Sequence, residues 1–230
     1  MNHIKSDLNE LANPGKAKFL ARFFKTGRGE YGEGDLFLGI NVPIQRRIAK
    51  RHQYASFDDI KELLSSRIHE HRLTALLILV DKYEKSDKGG KKIITDFYLR
   101  NIAHVNNWDL VDLSADKILG DYICDKDRKI LYSMARSKNI WERRVSIIST
   151  FNFIKRNDFH DALSISEILL EDKHDLIQKA VGWMLREVGK RDQKTEEKFL
   201  RKHYRNMPRT MLRYAIERFD ESKRRFYMGK

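Results

Sequence analysis

Helix openings recur along this chain at a nearly constant interval, and that recurrence limits the folds open to it. Arg72-Leu73-Thr74-Ala75-Leu76, Trp108-Asp109-Leu110-Val111-Asp112, Arg144-Val145-Ser146-Ile147-Ile148 and Lys179-Ala180-Val181-Gly182-Trp183 open similar helices, 36, 36 and 35 residues apart. A weaker fifth copy begins at Arg213-Tyr214-Ala215-Ile216. A period of this length holds two helices and two short turns, the unit of an α-solenoid. One such unit cannot bury its own apolar face, so neighbours stack and equivalent helices line one surface. The expected fold is all-α: an α-solenoid of about six helix pairs curved around a concave basic face. The competing reading is an irregular helical bundle whose spacing is accidental.

The local pattern agrees with helix. Leu73, Leu76, Leu77 and Val80 form an apolar stripe at spacings of 3 and 4, as do Ile147, Ile148, Phe151 and Ile154. Only 3 prolines and 12 glycines interrupt the 230 residues, so long helices can run unbroken. A single domain over residues 1–230 is expected at this length. One segment breaks the pattern: residues 26–35 carry Gly27, Gly29, Gly32 and Gly34, a loop or small hairpin inserted between helices. No Gly-Lys-Ser/Thr follows it, so it is not a Walker loop, and its carboxylates lack the spacing of a calcium loop. As a glycine-rich surface loop, Thr26–Gly34 is expected to contribute little to the repeat core.

Charge narrows the partners. Forty-six Lys and Arg residues face 33 Asp and Glu, a formal net charge of +13. The last 45 residues alone hold 15 basic residues against 7 acidic ones. Such an excess attracts a polyanion, and nucleic acid is the commonest one inside a cell. The single cysteine, Cys124, excludes an intramolecular disulfide and suits a reducing compartment. Residues Met1 to Asp7 lack the apolar stretch of a leader, and the longest uncharged runs, such as Val145 to Ile154, are about half the ~20 residues of a membrane span. A cytoplasmic, monomeric protein that avoids the membrane is the expectation.

Four stretches carry a more specific signal. They are Phe37-Leu38-Gly39-Ile40-Asn41-Val42-Pro43 with Arg46-Arg47, then Asn107 to Asp112, then Asn139-Ile140-Trp141-Glu142-Arg143-Arg144, and finally Gln178 to Glu187. In their order and spacing, over about residues 16 to 220, the chain resembles the AlkD-type DNA alkylation-repair glycosylases, which are built from HEAT-like repeats. The resemblance implies an active-site indole at Trp108, the catalytic carboxylate at Asp112, a second active-site indole at Trp183 and a phosphate-binding guanidinium at Arg144. It implies alkylated double-stranded DNA as partner, further DNA contacts from Lys179 and Arg186, and neither cofactor nor metal. The glycine-rich insert departs from the compact members, and Lys25 and Arg28 on it are expected to reach a groove or a junction arm. An alternative therefore stands beside the glycosylase: a noncatalytic repeat protein that binds branched or damaged DNA.

The chemistry asked of these positions is coherent. Trp108 and Asp112 are i and i+4, so they share one helical face. A carboxylate beside an indole suits stabilisation of positive charge on a sugar or an electron-poor base. Blander roles compete at each position. A helical tryptophan is more often core, and Trp141 is read so; the bland role for Asp112 is a solvent-facing position on an amphipathic helix. Asn107 reads as a helix cap and Asp109 as a first-turn residue favoured by the helix dipole. His69 and His71 are two apart on a helix and point apart, a poor metal pair. Cys124, without a nearby histidine in sequence, is read as a buried apolar residue.

Overall fold

Three helix starts follow directly from short polar residues that accept a backbone N–H. Asn13 accepts from Lys16 N with Pro14 in the first turn, Ser56 and Asp59 form a reciprocal capping box, and Asp87 accepts from Gly90 N. The structure, a computed structural model, describes residues 3–229; Met1, Asn2 and Lys230, the extremes of the N- and C-terminal stretches considered above, lie outside the described residues. The chain divides into two compact units, Met1–Ser114 and Ala115–Lys230.

The first unit contains α1 (His3–Asn9), α2 (Pro14–Phe23), α3 (Val42–Arg51), α4 (Phe57–Leu64), α5 (His69–Lys85), α6 (Lys88–Arg100) and α7 (Trp108–Ser114). Helix α5 is its axis, with α3, α4, α6 and α7 packed around it. The apolar stripe Leu73, Leu76, Leu77 and Val80 is buried, but so is almost everything else on α5 from His69 to Val80. A helix surrounded by others has no solvent face to keep polar.

The second unit opens with a π-helical turn, Asp116–Gly120, followed by α8 (Lys129–Ala135), α9 (Ile140–Ser149), α10 (Phe151–Lys155), α11 (His160–Ile168), α12 (Asp175–Gly189), α13 (Gln193–His203), α14 (Arg209–Ala215) and α15 (Glu221–Met228). Here α12 is the axis and packs on α9, α13 and α14. Two glycines let backbones touch. A Cβ on Gly182 would lie 2.4 Å from the Met211 carbonyl of α14, and one on Gly120 would lie 2.4 Å from the Ser149 carbonyl of α9.

The chain is thus an all-helical repeat protein, with no strand among the described residues and a single isolated bridge between Leu36 and Ile68. The repeat landmarks need one adjustment. Trp108 does open α7, whereas Arg72, Arg144 and Lys179 lie about one turn inside α5, α9 and α12. The sequence signal marked equivalent interior positions, because packing acts on the second turn more than on the cap. Trp141 is buried at 9% exposure. Cys124 is only half-buried, since it sits in the turn region before α8 and not on a core-facing stripe.

Candidate functional site

In the first unit, α7 is short and sharply two-sided. Leu110, Val111 and Ser114 are buried, while Trp108, Asp109, Asp112 and Leu113 are half-buried. Trp108 and Asp112 therefore share the accessible face, one turn apart, as their spacing requires. The indole does not hang free on that face. It stacks on Phe24 at 5.3 Å between centroids and 13° between planes, and meets Phe23 edge-on at 6.2 Å. Phe24 in turn stacks on Phe37 at 5.1 Å and lies 4.8 Å from the His69 ring, which stacks on Phe37 at the same distance.

Beneath these rings lies a buried charge network. His69, 2% exposed, donates from Nε2 to Asp109 Oδ2 at 2.8 Å, and its Nδ1 sits 3.6 Å from Asp35 Oδ2, close enough for electrostatic attraction but beyond hydrogen-bond reach. Arg72 donates to the same Asp35 oxygen at 2.7 Å, and Asn107 Nδ2 does so at 3.3 Å. Burial alone pulls the His69 imidazole towards neutrality, but Asp109 and Asp35 override it and raise its pKa to about 9. The Asp35 carboxyl is likewise pushed up by burial, yet His69 and Arg72 bring it below the ordinary carboxylate value. Asn107 joins network to helix, because its Oδ1 accepts from Trp108 N at 2.8 Å.

The Phe37-to-Ile40 motif has a structural explanation. The buried Glu70 carboxylate accepts from the backbone N–H groups of Leu38, Gly39 and Ile40 at 2.9, 2.7 and 3.2 Å. Gly39 adopts φ +83°, and a Cβ there would lie 2.3 Å from the Asn13 carbonyl at the start of α2. The loop is locked to α5 and α2, which fixes the Phe37 ring against His69.

The glycine-rich segment is a loop of turns, with Lys25 and Arg28 exposed on it. Its own carboxylates organise it: Glu30 accepts from Gly27 N and Glu33 from Gly29 N. Residues 26–34, expected to contribute little to the core, run directly into a residue that does contribute. Asp35 is the shared partner of Arg72, Asn107 and His69, and Leu36 bridges to Ile68, so the insert ends inside the charge network.

In the second unit, Lys179, Trp183 and Arg186 lie along one side of α12 at spacings of 4 and 3. Trp183 is half-buried, donates from Nε1 to Glu187 Oε1 at 3.0 Å and packs against Phe151 at 5.9 Å. Lys155 lies 4.3 Å over the Phe151 ring and pairs with the buried Asp116 of the π-helical turn at 2.6 Å. Three of the cations nominated for DNA, Lys179, Arg186 and Arg144, are engaged within the protein. Lys179 pairs with Asp175 at 2.6 Å, and Arg186 hydrogen-bonds Glu217. Arg144 is 5% exposed and donates to the Leu176 carbonyl in the first turn of α12 at 2.5 Å. The sequence presents Arg144 as a surface cation; packing of α9 on α12 buries it.

Sequence reasoning missed Phe24, Phe37, Asp35, His69 and Asp109 as a group around Trp108, and Phe151 and Lys155 around Trp183. For the first group one signal existed: His69 and Asp109, of opposite charge, each stand in the first turn of a repeat-related helix. Among the described residues there is no cluster of three or more His, Cys, Asp or Glu side chains able to hold a metal ion, and no helix long and apolar enough to cross a membrane.

Comparison with known proteins gives three findings. No curated protein matches the chain. A solved structure described as a predicted DNA alkylation repair enzyme from Enterococcus faecalis shares the fold, with a TM-score of 0.71 and 15% identity over 91% of this chain and 97% of that one. The family model for DNA alkylation repair enzymes matches residues 4–219, nearly the whole chain, and the protein described here therefore belongs to the DNA alkylation repair enzyme family.

Proposed function

We propose that the protein is a monofunctional DNA glycosylase that hydrolyses the N-glycosidic bond of cationic alkylated purines in duplex DNA and leaves an abasic site. The observation that carries this reading is the pairing of Trp108 with Asp112 on the accessible face of α7, with the indole braced from behind by Phe24. An N7- or N3-alkylated purine bears a formal positive charge. When the C1′–N9 bond breaks, its electron pair enters the base and neutralises that charge, while oxocarbenium character develops on the deoxyribose. Asp112 supplies a fixed carboxylate that stabilises the sugar cation and orients the water whose oxygen bonds to C1′. The proton lost by that water passes to Asp112 or to solvent. Trp108 offers a π-face to the cation, and Trp183 is assigned a π-face of its own in the second unit.

Affinity is assigned to Lys25, Arg28, Lys179 and Arg186 on the surface and to Arg144, whose 5% exposure leaves its guanidinium only a narrow approach to phosphate. Lys179 and Arg186 reach phosphate by exchanging an intramolecular carboxylate for it. No lysine is placed beside Trp108 or Asp112 by the motifs, so hydrolysis without a Schiff base is the expected chemistry.

The test is release of 7-methylguanine from methylated duplex DNA. Asp112→Asn preserves shape and removes the charge, and is expected to lower the single-turnover rate by ~10²–10³ with DNA affinity nearly unchanged. A wild-type rate in that variant would overturn the assignment. Tight binding of branched DNA without base release from any alkylated duplex would favour a noncatalytic binder instead.

A further inference from the structure

The aromatic column under Trp108 has a charged base, and the charges balance only in one state. Asp35 approaches His69 from the segment after the glycine-rich loop, Asp109 from α7, and Arg72 from within α5; the neighbouring Glu70 is occupied by three backbone N–H groups. Two carboxylates thus face two cations when the imidazole carries its second proton. With a neutral imidazole, Arg72 remains on Asp35 and Asp109 loses its cation. Asp109 has no reserve, because its Oδ1 is buried without a hydrogen-bond partner. Asp109 is half-buried, and a carboxylate there deprived of its cation is drawn towards water.

Two routes carry such a movement to the indole. One is covalent, since Asp109 follows Trp108 in the first turn of α7, and Asn107 ties that turn to Asp35. The other is the stack, in which Phe24 lies 4.8 Å from the His69 ring and 5.3 Å from the Trp108 ring. We propose that His69 and Asp109 are positioning residues for Trp108: the imidazolium, held between Asp109 and Asp35 beneath Phe24, fixes the plane of the indole and the first turn of α7, and hence the reach of Asp112. This rests on the glycosylase reading for its consequence in catalysis, but the coupling of His69 to Trp108 stands apart from any activity.

The first arm of the test needs no substrate. The pH dependence of tryptophan emission is recorded for the full-length protein and for Trp108→Phe, and the difference isolates Trp108 from Trp141 and Trp183. A transition near pH 9 is expected in the Trp108 signal of the wild type, where His69 loses its proton. It should be absent in His69→Gln and displaced to lower pH in Asp109→Asn, which keeps a hydrogen-bond partner but removes the negative charge. Trp108 emission that does not titrate, or that titrates identically in His69→Gln, overturns the proposal. The wild-type titration decides this even if a variant folds poorly.

The second arm measures base release. A misplaced reacting group costs up to about 10²-fold in rate, so His69→Gln and Asp109→Asn should slow single-turnover release by about 10- to 100-fold with duplex affinity within a few-fold of wild type. The wild-type rate should fall above pH 9, and this alkaline limb should move to lower pH in Asp109→Asn. Unaltered rates and an unaltered pH profile in both variants overturn the positioning role. If the wild type releases no base at all, the glycosylase reading fails, while the emission arm still decides the coupling.

Discussion

Glu196 offers a stability prediction whose size follows from its surroundings. It lies in the first turn of α13 at 1% exposure, beside Gly189 of α12, and its Oε1 is buried without a hydrogen-bond partner. Burial, assisted by the neighbouring Glu197, raises its pKa from 4.5 to about 9, against the opposing pull of Arg186. The folded protein therefore keeps the proton across a range in which the unfolded chain releases it. The stability this group contributes is fully present below pH 4.5, declines as pH rises, and is lost by about pH 9. Each pH unit in that interval costs about 1.4 kcal/mol, so pH 7 carries a penalty of about 3 kcal/mol relative to acid. Glu196→Gln has nearly the same shape and nothing to titrate. The stability difference between variant and wild type should thus shift in favour of the variant by about 3 kcal/mol between pH 4.5 and 7, roughly 6–12 °C in Tm for a chain of this size. Urea melts followed by circular dichroism at pH 4.5, 5.5, 7 and 8 measure this directly. Any fixed cost of placing an amide in the site cancels from the pH trend. A difference that stays flat across the range refutes the reasoning and shows Glu196 to be ionised in the folded protein.

Two further perturbations test the support of each unit. Gly39→Ala puts a Cβ where the Asn13 carbonyl stands 2.3 Å away, at φ +83°, and should cost about 2 kcal/mol or more; a wild-type Tm would refute the close approach. Arg144→Ala removes the hydrogen bond to the Leu176 carbonyl and the buried guanidinium packed between α9 and α12, and should cost about 1–3 kcal/mol in stability. The same variant should make the slope of log affinity for duplex DNA against log salt shallower by about one unit, and an unchanged slope would remove Arg144 from the DNA contacts.

Local features were the legible part of the chain. The 3-and-4 spacing located the helices, Asn107 and Trp108 marked the start of α7, and the i, i+4 relation placed Trp108 and Asp112 on one face. Tertiary surroundings were not legible, and the two neighbouring histidines show why. His69 and His71 are both buried near the start of α5, yet one pKa is raised to about 9 by two carboxylates and the other lowered to about 4 by burial and nearby Lys5 and Arg72. Arg72 opposes the protonated form of both rings, so local sequence does not predict the split; the raised value comes from Asp35 and Asp109, 34 and 40 positions from His69. Arg144 illustrates the same limit, because its burial depends on where α12 begins. The glycine-rich segment shows the limit at its edge: glycine content reports the backbone freedom of residues 26–34, and it says nothing of the network partners of Asp35, which follows them.

The support behind each proposed π-face is polar where apolar packing would have been cheaper. Asp35, His69, Arg72 and Asp109 brace Trp108, and Asp116 with Lys155 stands behind the Phe151 ring that touches Trp183. Removing such groups from water costs several kcal/mol per ion, and well-packed hydrophobic residues of similar volume often serve stability equally well or better. Stability alone is thus a weak reason for these arrangements. What charged pairs add is direction. A hydrogen bond at 2.8 Å from His69 to Asp109 constrains the angle of the first turn of α7, whereas an apolar contact tolerates sliding. A reaction that depends on the placement of one carboxylate and one indole relative to a developing sugar cation needs that angular constraint, since electrostatic stabilisation is effective only when its groups are oriented before charge appears. On the proposed reading the buried ions serve the accessible residues above them, and Asp109 is where the two meet, since it shares α7 with Trp108 and Asp112.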